Sequence, residues 1–174
     1  VNMEENVFEA RDLSEETHVM QLSLLGCGLI AVGSWIRIPC SPVPFTLQTL
    51  VIFILGLTQT PKQAFASVIC YLACASIGLP VLDGKANYLW ITGKCAGYLI
   101  SFPIAAYAIA KLRQKFPSFL ALLLGETIIL LFGYIWLLPF IGAEMAWKKG
   151  VILFIPSAIL KGCAALSFVQ WRNR

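Results

Sequence analysis

Two ionisable side chains stand in apolar stretches that offer no obvious reason for a charge. Lys161 lies in VILFIPSAILKGCAALSFVQWRNR, ten residues before Trp171, and Glu126 lies in FLALLLGETIILLFGYIWLLPFI. An ionisable group within a membrane span costs about 2.5–3.5 kcal/mol on insertion scales and is a functional candidate by default. Lys161 has three readings. Snorkelling suits it poorly, because it stands far from the end of its run. A structural ion pair is the second, with Glu126 as the mate. If the last two helices ran straight from a shared loop, Glu126 would lie about 18 Å from Leu138 and Lys161 about 16 Å from Gly150, so their depths would match. Pro156, however, suits a helix start, which puts Lys161 only about 8 Å inside its helix. The third and preferred reading is contact with an anionic ligand.

Two further stretches are unusual. In RIPCSPVPFTLQ (37–48), Pro39, Pro42 and Pro44 rule out helix and favour a stiff, extended segment with few donors. Gln48 then carries an amide into apolar surroundings. The stretch GLPVLDGKANYLW (78–90), followed by ITGKCAGY (91–98), is too apolar for a solvated linker and too rich in Gly and Pro for an uninterrupted helix. Irregular backbone at membrane level is tolerated where protein buries it or a cavity lines it. Two such loops on one side of a membrane suggest a lid over a pocket; ordinary interfacial loops are the plainer alternative. No G-x-x-x-x-G-K-[ST], H-E-x-x-H or G-x-S-x-G motif occurs, so the sequence carries no sign of an ATPase, a zincin or an esterase.

The elements that must hold these groups follow from composition. Of 174 residues, 59% are apolar and 13% charged, against about a quarter charged in soluble domains. Six of the nine acids lie within the first 16 residues, leaving twelve bases against three acids in the rest. Those bases stand singly at the ends of apolar runs, which argues against nucleic-acid binding and for a bilayer. Apolar runs at 19–36, 45–57, 62–82, 92–110, 117–140 and 149–170 are read against a span of about 20 residues. The second is short and must borrow from its flanks. The expected fold is an all-α integral membrane protein, a bundle of six transmembrane helices with lid-like external loops. Residues 1–17 form an acidic tail, with Val1-Asn2-Met3 a candidate cloning remnant, and 18–174 form the membrane domain. The first run is too late and too long for a cleaved signal peptide.

The Lys/Arg distribution orients the bundle. Arg11, Lys62, Lys111, Arg113, Lys115, Arg172 and Arg174 share one side, and Arg37, Lys85, Lys94, Lys148 and Lys149 the other. The first set is the more concentrated, so both termini are expected in the cytoplasm. Trp35, Trp90, Trp136, Trp147 and Trp171 lie near proposed span ends, as interfacial anchors should. The six cysteines (Cys27, Cys40, Cys70, Cys74, Cys95, Cys163) show no metal-binding spacing and read as small packing residues. His18 has no partner motif. In the first span Ser23, Cys27 and Ala31 recur every four residues, a face on which another helix can approach closely. That helix is either a partner subunit's or one of the chain's own.

Pro42-Val43-Pro44-Phe45-Thr46-Leu47-Gln48, Gly78-Leu79-Pro80-Val81, Gly93 to Tyr98 and Phe154-Ile155-Pro156 to Lys161 appear in the order found in the BioY family. These are the biotin-binding S components of energy-coupling factor (ECF) transporters, and the resemblance runs from about residue 19 to the end. It implies six transmembrane helices, an outward-opening pocket under the first and third external-side loops, and biotin as the transported ligand with no cofactor. It also implies residence in a bacterial cell membrane and, since the chain has no nucleotide-binding loop, association with a transmembrane T component and two ATPases. The chain departs from the family in two places. Gly93-Lys94-Cys95-Ala96-Gly97-Tyr98 replaces a Gly-Pro-Thr-Gly-Gly-Tyr run, and in the last helix Ala158 stands where the family has an acid one turn before the lysine. Biotin is a small apolar bicycle with one urea and a tail ending in carboxylate. Phe45, Tyr88, Trp90 and Tyr98 are candidate walls, Gln48, Asp83 and Asn87 candidate urea partners, and Lys161 the candidate tail contact. An S component for another small carboxylated vitamin and a small intramembrane enzyme are the alternatives. A channel or purely structural bundle is the third reading, and the lid-like loops argue against it. Intramembrane enzyme sites gather several ionisable groups, and these spans hold only Glu126 and Lys161.

Overall fold

Prolines, glycines and caps decide where the apolar runs become helix. The computed structural model describes residues 3–82, 84, 86–172 and 174, with side-chain surroundings from Glu16 onward. Helix α1 (Met3–Trp35) runs unbroken through the expected tail boundary at 17/18. The proline loop follows as an extended excursion. Its arms, β1 (Arg37–Ile38) and β2 (Phe45–Thr46), pair antiparallel with Ile38 opposite Phe45. Because Phe45 and Thr46 serve as strand, α2 is only Gln48–Thr58. The Leu47 N–H that enters it bonds back to the Gly33 and Ile36 carbonyls, at 3.1 Å each.

Thr60 starts α3 (Pro61–Ser76) with a capping box. Its hydroxyl accepts from the Gln63 N–H at 3.4 Å, and the Gln63 side chain accepts from the Thr60 N–H at 3.1 Å. The helix ends well before residue 82 because Gly78 takes φ 86°, and the Leu79 N–H reaches back to the Cys74 carbonyl at 3.0 Å. This is a Schellman closure, which a residue with a Cβ would strain. After a short 3-10 turn (Trp90–Thr92) come α4 (Ala96–Leu112) and α5 (Ser118–Ile141). Gly142, also at positive φ, stops α5. An amphipathic helix that the sequence reading did not anticipate, α6 (Ala143–Gly150), occupies the last connection, its Glu144 and Lys148 paired on the surface at 2.7 Å. A 3-10 turn (Ile152–Phe154) leads into α7 (Ile155–Arg172), with Pro156 in its first turn, where a missing N–H costs nothing.

Among the described residues, three segments are long and apolar enough to cross a membrane: Glu16–Trp35, Ser118–Ile141 and Ala143–Arg172. Helices α2 and α4 are apolar but shorter. At the centre α4 packs on α2, α3 and α5, while α1 packs on α3 and α7 on α2. Small residues permit the close approach. A Cβ on Gly56 would press on Ile109 from α2, and one on Gly125 would press on the same side chain from α5. Gly97 likewise makes room for Trp136, and Gly133 for the Tyr98 ring. In a bilayer, where lipid is as apolar as leucine, such backbone proximity and its van der Waals contact hold helices together. Apolar side chains such as Leu24, Leu29, Phe119, Leu131 and Leu160 remain exposed on the outside of the bundle, as a lipid-facing surface requires.

Candidate functional site

A cavity of about 330 Å³ lies under the two irregular loops, between the starts of α2, α4 and α7 and the middle of α5. Its walls are mostly apolar, and its polar groups are few. Lys161 lines it and donates to the Thr49 hydroxyl at 2.9 Å, using one of its three ammonium hydrogens. Glu126 lines it from α5, and the Glu126 Oε2 is buried with no hydrogen-bond partner among the described residues. The two side chains line the same space but form no direct ion pair. A buried carboxylate oxygen left unpaired is costly, so the cavity presents a strong acceptor and a cation with spare donors. Ala158 faces the same space, so the cavity brings Glu126, Ala158 and Lys161 together.

The other expected site residues divide. Asn87 and Gln48 line the cavity. Gln48 is largely committed to its neighbours: its carbonyl accepts from the Thr46 hydroxyl at 2.8 Å, and its amide donates to the Tyr71 hydroxyl at 2.5 Å. Tyr71 in turn donates to the Val81 carbonyl at 3.2 Å, which also accepts from Ser34 at 2.6 Å. Gln48 therefore ties the proline loop to the second loop. Tyr98 forms a wall, fixed by its hydroxyl donating to the Gly150 carbonyl at 2.7 Å. Phe45 stands behind the wall, its ring 4.6 Å from that of Phe154, which lies 5.8 Å from Tyr98. Tyr88 does not meet its expectation as a wall: it is 66% exposed and off the cavity, because its loop turns it outward while Trp90 turns in. Asp83 lies outside the described residues.

The sequence reading missed Thr49, Lys94 and Phe154. Thr49 sits in the first turn of α2 beside Gln48, and hydroxyls in such helices are usually bonded to their own backbone, which hides a role of this kind. Lys94 counts in the sequence only as one of the outer-side charges, yet it lines the cavity. Ser23, Cys27 and Ala31 are buried against the chain's own helices, α1 packing on α3, so this face is not a free docking surface. The α1–α3 seam needs their small size, as shown where a Cβ on Gly26 would strike Ser67.

A bundle of apolar helices around a loop-capped, largely apolar cavity lined by Lys94, Lys161 and Glu126 defines a membrane-embedded binding protein for a small polar-tipped ligand. The BioY family model matches residues 3–173, and the chain belongs to that family. It is 36% identical over 152 residues to a probable biotin transporter BioY of Pyrococcus horikoshii, covering 87% of this chain and 93% of the relative. It is 30% identical over 157 residues to a probable biotin transporter BioY of Rickettsia prowazekii, covering 86% and 81%. A crystal structure of the S component for biotin from an ECF-type ABC transporter superposes with a TM-score of 0.83 at 26% identity, over 92% of this chain and 94% of that one.

Proposed function

We propose that the chain is the biotin-binding S component of an ECF-type uptake transporter, capturing biotin from the external side. The observation that carries this is the capped cavity in which Lys161 keeps donors free and Glu126 keeps an oxygen unpaired. Biotin matches both: its carboxylate suits the ammonium, its urea N–H groups suit an acid, and its bicycle suits walls such as Tyr98, Trp90 and Phe102. Glu126 takes over the work of the acid absent at Ala158, reaching the same space from α5. Asn87 and Gln48 supply the remaining urea contacts. No covalent bond changes, so the role is capture and release rather than catalysis.

Six spans are completed by α3 and by α2 and α4, which are short because the loops above them dip into the membrane to form the lid. Both termini lie in the cytoplasm of a bacterial plasma membrane. A binding pocket alone only equilibrates its ligand, so net uptake needs the T component and two ATPases. With the Ser23–Cys27–Ala31 face occupied, docking falls to the exposed side of α1, where Leu24, Leu25 and Val32 lie. The deciding experiment is equilibrium titration of purified protein in nanodiscs with biotin and with unrelated carboxylated vitamins. Saturable, biotin-selective binding is expected, and its absence in folded samples refutes the reading.

A further inference from the structure

The buried seam between α1 and α3 holds a cluster that biotin capture does not use. Cys27 from α1 and Cys70 and Cys74 from α3 converge with their three sulfur atoms all within 4.8 Å of one another. Cys27 is buried, the other two are half-buried, and none is in a disulfide. Packing does not call for sulfur here. Ala31 of α1 and Ser67 and Ala75 of α3 are buried with smaller side chains, whereas the three sulfurs converge on one another.

Coordination number and charge decide what three thiols can hold at this place. Cys27 lies near the middle of Glu16–Trp35, about 12–17 Å from either end at 1.5 Å per residue, so a charged product would stand deep among lipid tails. Zinc favours four ligands, and no fourth His, Cys, Asp or Glu joins the group among the described residues. Copper(I) accepts three soft thiolates but leaves a net negative complex. A trivalent metalloid takes three thiols and ends neutral. With arsenite the balance is As(OH)3 + 3 RSH → As(SR)3 + 3 H2O. Three As–O bonds break, three As–S bonds form, each thiol proton leaves with a hydroxyl as water, and nothing is oxidised or reduced. The geometry is close to what this needs. At the 4.8 Å bound an atom at the centre would lie about 2.8 Å from each sulfur, about half an ångström beyond a common thiolate bond length of about 2.3 Å.

We propose that Cys27, Cys70 and Cys74 form a three-thiol site for a neutral trivalent metalloid, which staples α1 to α3. Arsenite is uncharged at neutral pH and reaches such a depth, whereas hydrated divalent ions do not. The test uses reduced, full-length protein in nanodiscs, titrated with arsenite, with bound arsenic counted per chain and its X-ray absorption spectrum recorded. One arsenic per chain with three sulfur neighbours and no oxygen neighbour is expected. Cys70→Ala and Cys74→Ala should each weaken uptake about a hundredfold, as loss of one tethered ligand from three implies. Cys40→Ala and Cys163→Ala should match the unsubstituted chain. Monodisperse elution checks folding, and Cys70→Ser or Cys74→Ser stands in should the corresponding alanine variant fail that check. No uptake by the unsubstituted chain, a remaining oxygen neighbour, or full uptake by folded Cys70→Ala overturns the proposal.

Discussion

At the scale of single residues, the cavity holds Lys161 and Glu126 with no direct ion pair between them. Lys161 spends one hydrogen on Thr49 and holds the rest in reserve. Replacing it by alanine should weaken biotin binding about ten- to a hundredfold, the range of a charge-assisted hydrogen bond of about 1.5–3 kcal/mol. Thermal stability without ligand should change little; normal binding combined with a large loss of stability would make Lys161 a structural residue instead. Glu126→Gln keeps one oxygen and the shape but removes the charge. It should cost about fivefold to tenfold in affinity by titration, since a charge-assisted bond is about twice as strong as a neutral one. Unchanged affinity would assign Glu126 to packing. Lys161 and Gln48 were legible because a polar group in an apolar run needs a reason. Thr49 was not, because a lone hydroxyl in a helix already has a local partner available. Tyr88 misled because nothing periodic in its loop tells which of neighbouring aromatics turns inward.

At the scale of elements, boundaries followed signals that act locally. Pro61 behind Thr60, Pro156 and the positive-φ glycines fixed starts and stops as their backbone chemistry demands. The amphipathic α6 was hidden because its eight residues looked like a polar connection between two greasy runs. The close α4–α5 seam was also invisible, since the glycines that make it are on different runs and only the fold shows what they face. Gly133 is the sharpest case, because a Cβ there would meet the Tyr98 ring. Gly133→Ala should therefore lower stability by about 1–3 kcal/mol, the usual cost of overpacking, and should weaken biotin binding as well by displacing a cavity wall. Thermal unfolding and titration on the same sample test both. Gly162→Ala, where an added Cβ meets nothing within 4 Å, should leave both unchanged.

At the scale of the whole molecule, composition alone announced the bilayer, and the ordered motifs announced the family. The count of spans rests on runs of apolar residues, and these overstate helix where the chain turns to strand or loop, as at Phe45–Thr46 and beyond Ser76. Orientation gives a direct test in a Cys40→Ser background. A cysteine placed at Lys149 should react with a membrane-impermeant maleimide in intact cells, and one at Lys115 only after permeabilisation. The reverse pattern would invert the topology. Biotin at a hundredfold excess over Kd should add about 2.7 kcal/mol to the folded state, read as a rise in melting temperature.

Three indole N–H groups are fastened to the irregular backbone and its edges: Trp35 to the Pro80 carbonyl at 3.2 Å, Trp90 to the Ser76 hydroxyl at 3.1 Å, and Trp136 to the Gly93 carbonyl at 3.0 Å. The cap thus carries its own optical reporters. Of the three, only Trp90 borders the cavity and is nearly buried, at 8% exposure. Occupancy by biotin should shift or quench its emission, so stopped-flow fluorescence would time ligand arrival without any attached dye. Trp90→Phe should abolish most of that signal, while Trp171→Phe, on the exposed end of α7, should keep it.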